Sequence, residues 1–193
     1  MLWINVGCGP YLADKPWINV DGNDSDYVSN FASNNHHEMP RKPDVIGWSD
    51  KLPYKDGEVS RLYAGHILEH IDLYDGSVDR TLAEFKRVLC PGGERMCVGP
   101  DLVKAAEMVY HGAIRWQTFW EGHGTAGRGN PAGSPYPNAK PGDVHLWSTT
   151  EEAVVALLRK YFDTVTPHHI ADADEVWPFV SRVGWQYAVS ATK

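Results

Sequence analysis

The chain has 193 residues, 42% of them hydrophobic and 22% charged, the make-up of one ordinary globular domain that needs no disulfide or metal staple. Its 18 Lys and Arg against 25 Asp and Glu give a formal net charge of −7 with no basic run, which argues against a nucleic-acid partner. Three cysteines, Cys8, Cys90 and Cys97, without a C-x-x-C pair, argue against a disulfide framework or a four-cysteine zinc site and point to the cytoplasm; no apolar run has the length of a membrane span.

Leu2 to Val6 predicts a short strand ended by Gly7-Cys8-Gly9, so no removable leader is expected ahead of it. Trp17 to Val20 predicts a second strand, ended by Asp21-Gly22. Residues 23–42 are polar and carry no period, which reads as loop with room for one short helix. Asp44-Val45-Ile46 is a weak third strand. Val59 to Ala64 is a fourth, after the turn signal Lys55-Asp56-Gly57.

Val78, Leu82, Phe85, Val88 and Leu89 fall at helical spacing and predict a helix over Ser77 to Leu89, stopped by Pro91-Gly92-Gly93. Arg95 to Gly99 follows as a fifth strand, and Leu102 to about Trp120 as a helix. From Glu121 to Trp147, 10 of 27 residues are Gly or Pro, the composition of a lid or a disordered insertion. Trp120, Tyr136 and Trp147 would let it close on a substrate. Ser148-Thr149-Thr150-Glu151 has the form of a capping box, and Val154, Leu157, Leu158 and Tyr161 mark an apolar helix face. Phe162 to Val165 and Trp185 to Ala191 read as strands, the latter alternating as a half-exposed edge strand does. Strand and helix in alternation predict a single α/β domain with a mostly parallel sheet covered on both faces. Ligands in such sheets sit at the carboxyl ends of the strands.

Gly7-Cys8-Gly9 directly follows strand one, and its glycines let a ligand approach the backbone. Asp21 ends strand two, where a carboxylate can accept both hydroxyls of a ribose. The pair points to a nucleoside-containing ligand; a tight turn and a loop cap are the plainer alternative. A dinucleotide is disfavoured, because Pro10 follows Gly9 and residues 10 to 20 barely hold the helix that grips a pyrophosphate. His66-Ile67-Leu68-Glu69-His70 spells the H-x-x-E-H of inverted zinc metallopeptidases, with Glu69 as base and Glu151 or Glu152 as third ligand. Its place after a strand in a nucleoside-binding pattern speaks against that reading, so no metal is expected. His70 then caps or packs, and His36-His37-Glu38 and His168-His169 read as solvated loop residues.

Taken together, these segments resemble the small class I S-adenosylmethionine-dependent methyltransferases. Asn5-Val6-Gly7-Cys8-Gly9 resembles the first family motif and Asp21 its ribose-binding acid. Leu52-Pro53-Tyr54-Lys55-Asp56-Gly57 is similar to L-P-F-x-D-G, and His66 to His70 to H-x-L-E-H. Glu84 to Gly93 is similar to E-x-x-R-V-L-K-P-G-G, Gly99-Pro100-Asp101-Leu102 to V-P-D-L, and His145 to Phe162 to the late helix. The likeness is close over residues 2 to 102 and loose beyond. It departs at Asn5, neutral where an acid is usual, and in the short connection between strands one and two. At the adenine site only Ser49 and Asp50 lie near.

The resemblance implies a Rossmann-like fold whose seven strands run in the order 3-2-1-4-5-7-6 with the last antiparallel. It implies S-adenosylmethionine as cofactor, held by Asn5, Gly7, Cys8, Gly9, Asp21, Ser49, Asp50, Ala64, Gly65 and His66. Methyl transfer to an O, N or C nucleophile follows, and His145, Asp101 and His66 are the candidate catalytic residues. Histidine titrates near working pH, and His145 ranks first as base; Asp101 is equally placed to cap the helix at Leu102. The Asn-Pro-Pro-Tyr signature of amino-methylating DNA enzymes is replaced by Ala64-Gly65-His66-Ile67. A small-molecule or saccharide acceptor is therefore expected, with no nucleic-acid or membrane partner. The competing readings are a non-catalytic S-adenosylmethionine-binding module and the metallopeptidase.

Overall fold

In the computed structural model, which describes residues 1–9, 12–22, 42–116, 145–173, 176–178 and 184–193, seven strands form one sheet. They are β1 (Leu2–Val6), β2 (Trp17–Asp21), β3 (Val45–Ile46), β4 (Val59–Gly65), β5 (Leu89–Pro100), β6 (Thr164–His168) and β7 (Gln186–Thr192). The order is β3-β2-β1-β4-β5-β7-β6, as expected. Pairings from β3 through β5 are parallel, and β7 runs antiparallel to both β5 and β6. The helices are α1 (Ser77–Val88), α2 (Leu102–Tyr110) and α3 (Glu151–Leu158), with a 3-10 turn at Leu68–His70.

Side chains alternate across each strand, so β1 feeds both faces of the sheet. Ile4 and Val6 enter a core closed by Val78, Leu82, Phe85 and Val88 of α1 and by Val154 and Leu158 of α3. Each of these side chains contributes about 1.5–3 kcal/mol on burial. On the other face Trp3 packs against a cluster of Trp17, Tyr63, Met96 and Trp177. Burial of both faces is what a parallel sheet requires.

The structure departs from the sequence reading at β5, α2, α3 and β7. β5 begins at Leu89, so Pro91-Gly92-Gly93 lies inside the strand, and a register shift against β4 between Val59 and Arg61 absorbs it. α2 ends at Tyr110, where Gly112 takes a left-handed φ of 71° and donates to Val109 O. α3 is capped by Thr150 rather than Ser148: Thr150 Oγ1 accepts from Ala153 N–H, while Thr149 donates to Pro100 O and accepts from Leu102 N–H. β7 is interior, with Tyr187, Ala188 and Val189 fully buried, and β6 is the edge. Residues 23–41 and 121–144 lie outside the described residues, and with them the short helix, most of the expected lid and His36-His37-Glu38. His168 is no loop residue: it lies on β6, its Nε2 2.7 Å from Ser190 Oγ.

The segment leading into β4 is clamped by α1. Leu52 N–H donates to Glu84 Oε1 (2.7 Å), and Arg87 donates to Glu84, to Asp56 and to Tyr54 O. The Arg87 hydrogen bond holds the Glu84 carboxyl below its ordinary value, against burial that raises it. A carboxyl depressed in the folded state stabilises the fold above its unfolded pKa and loses that contribution as pH falls through the folded value. Glu84→Gln should therefore cost about 1–2 kcal/mol at pH 7, discounted for the part-exposed Arg87. Urea unfolding from pH 7 down to 3 checks this: the gap to wild type should close in acid, and a constant gap refutes it.

Candidate active site

The turn after β1 folds onto the end of β2. Gly7 N–H donates to Val20 O at 2.9 Å, and Gly9 N–H donates to Asp21 Oδ2 at 2.8 Å. Both glycines are left-handed, with φ of 65° and 49°. A Cβ at Gly7 would stand 2.6 Å from Ile67 Cδ1, whereas one at Gly9 would meet nothing within 4 Å. Gly7 is thus required by the neighbouring loop, and Gly9 borders open space beside the Asp21 carboxylate.

Around this junction the other predicted cofactor residues divide. Asn5 is buried and donates from Nδ2 to Asn19 Oδ1 (3.0 Å), while Asn19 in turn binds Ala13 and Asp44. That network pins the short connection between β1 and β2, whose described residues contain no helix. Burial, then the charge of Asp21, pushes the Cys8 thiol far up, so it stays protonated. Ser49 Oγ lies 3.3 Å from Thr81 Oγ1, and Asp50 lies 3.9 Å from Arg80 Nε, so both are engaged with α1. Trp48, an exposed ring, covers Gly22, the residue after Asp21, and no sequence pattern marks it.

β4 ends with buried Ala64 and with Gly65, where a Cβ would press on the Tyr63 ring. His66 then turns left-handed, with φ 54°. Its Nε2 lies 2.6 Å from Gln186 Nε2, and its Nδ1 lies 3.3 Å from Glu69 Oε1. Glu69 is fully buried, and neither carboxylate oxygen has an aligned hydrogen bond. Burial raises its pKa, but the His66 contact and the charges of His66, His70 and His145 outweigh this and hold it below the ordinary value. Gln186, the first residue of the interior strand β7, is buried and reaches His66.

His145 stands 4.8 Å from His70, ring centre to ring centre and edge to face. The backbone brings it there: Leu146 N–H donates to Glu69 O (2.7 Å), and the Trp147 indole N–H bridges Leu68 O and Ile71 O. Trp147 is thus a buried clamp under the 3-10 turn rather than a surface of a lid; Trp120 and Tyr136 lie outside the described residues. Asp101 caps α2. Its Oδ1 accepts from Val103 and Lys104 N–H and its Oδ2 from Glu151 N–H, at 2% exposure. The peptidase arrangement does not form. A left-handed His66 and a single 3-10 turn keep His66 and His70 off one helix face, and Glu151 pairs with Lys104.

Comparison with known proteins agrees with this architecture. A family model described as a methyltransferase domain matches residues 4–97. Comparison with curated proteins finds no match. Among solved structures, the chain is similar to an S-adenosylmethionine-dependent methyltransferase from Archaeoglobus fulgidus, with TM-score 0.57 and 13% identity over 98% of this chain and 85% of that one. It is also similar to one from Thermotoga maritima, with TM-score 0.52 and 18% identity over 100% of this chain and 82% of that one. A third, from Methanosarcina mazei, has TM-score 0.51 and 15% identity over 98% of this chain and 91% of that one. At such identities these likenesses show the fold. The matched model marks residues 4–97 as similar to a methyltransferase domain, and the sheet order and the glycine turn beside Asp21 fall within that likeness.

Proposed function

We propose that the chain is a class I S-adenosylmethionine-dependent methyltransferase that transfers the cofactor's methyl group to a small-molecule or saccharide nucleophile from the crevice at the carboxyl ends of β1, β2 and β4. The observation that carries this reading is the Gly9–Asp21 junction, where the Asp21 carboxylate accepts from Gly9 N–H and a Cβ on Gly9 would meet no described atom within 4 Å. In this reading Asp21 takes the ribose hydroxyls and Trp48 offers a face for the adenine. Gly7, Cys8, Ala64 and Gly65 shape the backbone, and Asn5 holds β1 to β2. Ser49 and Asp50 support the adenine end through α1.

The cofactor's sulfonium supplies an already electrophilic methyl group. The chain has then to align the acceptor in line with it and exclude water. His66, held by Gln186 and Glu69, is assigned to the cofactor side, and His145, beside His70, to the acceptor side. Asp101 acts as a positioning residue through the α2 cap. A cleft of about 360 Å³ lined by Lys104, Glu107, Met108, His111, His169 and Gln186 supports a small polar acceptor, and Gln186 joins it to His66. The net charge of −7 supports a partner other than nucleic acid. The free cysteines support a cytoplasmic setting, and no helix among the described residues is long and apolar enough to cross a membrane.

The test is incubation of the purified chain with S-adenosylmethionine and fractionated cell metabolites. Formation of S-adenosylhomocysteine that depends on one fraction is the expected result. Cofactor binding without turnover in any fraction would instead establish a binding module.

A further inference from the structure

We infer that Glu69, His70 and His145 form a site for one divalent transition-metal ion at the carboxyl end of β4. Glu69 is fully buried, and beyond His66 Nδ1, 3.3 Å from Oε1, neither oxygen has an aligned hydrogen bond, which leaves the carboxylate short of partners that a cation would supply. One ligating atom from each of the three residues lies within 4.8 Å of the other two. Ligands of one ion at bonds of about 2.0–2.2 Å stand roughly 3–3.5 Å apart, a gap that rotation of the two imidazoles closes. The backbone is already set, because Leu146 and Trp147 tie the His145 segment to the turn that bears Glu69 and His70. Gln186 and His66 behind Glu69 supply the outer contacts that orient a ligating carboxylate.

Two imidazoles and one carboxylate select zinc, iron, cobalt or nickel over magnesium or calcium, which favour oxygen-only cages. Three protein ligands also leave coordination positions open. Ile67, two residues before Glu69, lies against Gly7, which puts the segment that bears the cluster next to the turn assigned to the cofactor. There it would take an acceptor hydroxyl and lower its pKa. The hydroxyl gives its proton to solvent, its oxygen bonds the methyl carbon, and the carbon–sulfur bond breaks with its electron pair going to sulfur. This role rests on the methyl-transfer reading; binding of the ion does not.

The experiment is calorimetric titration of the metal-stripped full chain with Zn²⁺, with Co²⁺ absorption as a second reading. One equivalent should bind wild type, Co²⁺ should give visible bands, and His70→Ala and His145→Ala should each weaken Zn²⁺ affinity at least tenfold. Glu69→Gln is informative only if far-ultraviolet dichroism shows it folded, so the half-buried His145→Ala decides. Absence of saturable one-to-one binding, or equal affinities in both histidine variants, overturns the site. A bound ion without S-adenosylhomocysteine formation would overturn the methyl-transfer reading and leave the site standing.

Discussion

Asp21→Ala binds S-adenosylmethionine about 100-fold or more weakly than wild type while remaining folded. A charged acceptor contributes about 1.5–3 kcal/mol per hydrogen bond, and two ribose hydroxyls place the loss near 3 kcal/mol at the least. The fold should lose far less. One bond at risk is that from Gly9 N–H, in a part-exposed turn where water can replace the carboxylate. Asp21→Asn keeps an acceptor oxygen and should fall between. Isothermal titration of the three proteins, with thermal unfolding alongside, decides the matter: equal affinities would remove Asp21 from the ribose.

His145→Gln should keep cofactor affinity and lose roughly 10²-fold or more in turnover, the range spanned by groups that handle an acceptor proton. The segment 145–147 is anchored by its own backbone and by the Trp147 indole, so the side chain can change without moving the turn beneath it. The readout is the rate of S-adenosylhomocysteine formation at saturating cofactor. Added Zn²⁺ separates two ways of acting. Partial rescue shows that His145 works by holding an ion, and no rescue shows that it receives the proton itself. Turnover at the wild-type rate removes His145 from the acceptor site.

Much of this protein was written in short windows of sequence. The runs Leu2–Val6 and Val59–Ala64, the helical spacing of Val78, Leu82 and Phe85, and the Gly7-x-Gly9 turn are local signals, because strand and helix periods repeat within a few residues. The cap at Asp101 was legible for the same reason, since its partners Val103 and Lys104 lie two and three residues on. Asp21 was legible by position alone, as the residue ending the second strand.

The sequence by itself thus determined the sheet, the glycine turn and its carboxylate. Only the tertiary structure decided the acceptor side. Gln186 reaches His66 across 120 residues of chain, and Trp147 reaches Leu68 across 79. The strand that carries Gln186 was read as an edge because alternation reports two unlike faces, but not what lies against them; pairing between β5 and β6 made it interior. The H-x-x-E-H letters promised two histidines on one helix. A left-handed His66 and a one-turn helix instead sent His66 toward Gln186 and left His70 to meet His145. Backbone conformation and chain crossing, neither of which has a period, set that difference.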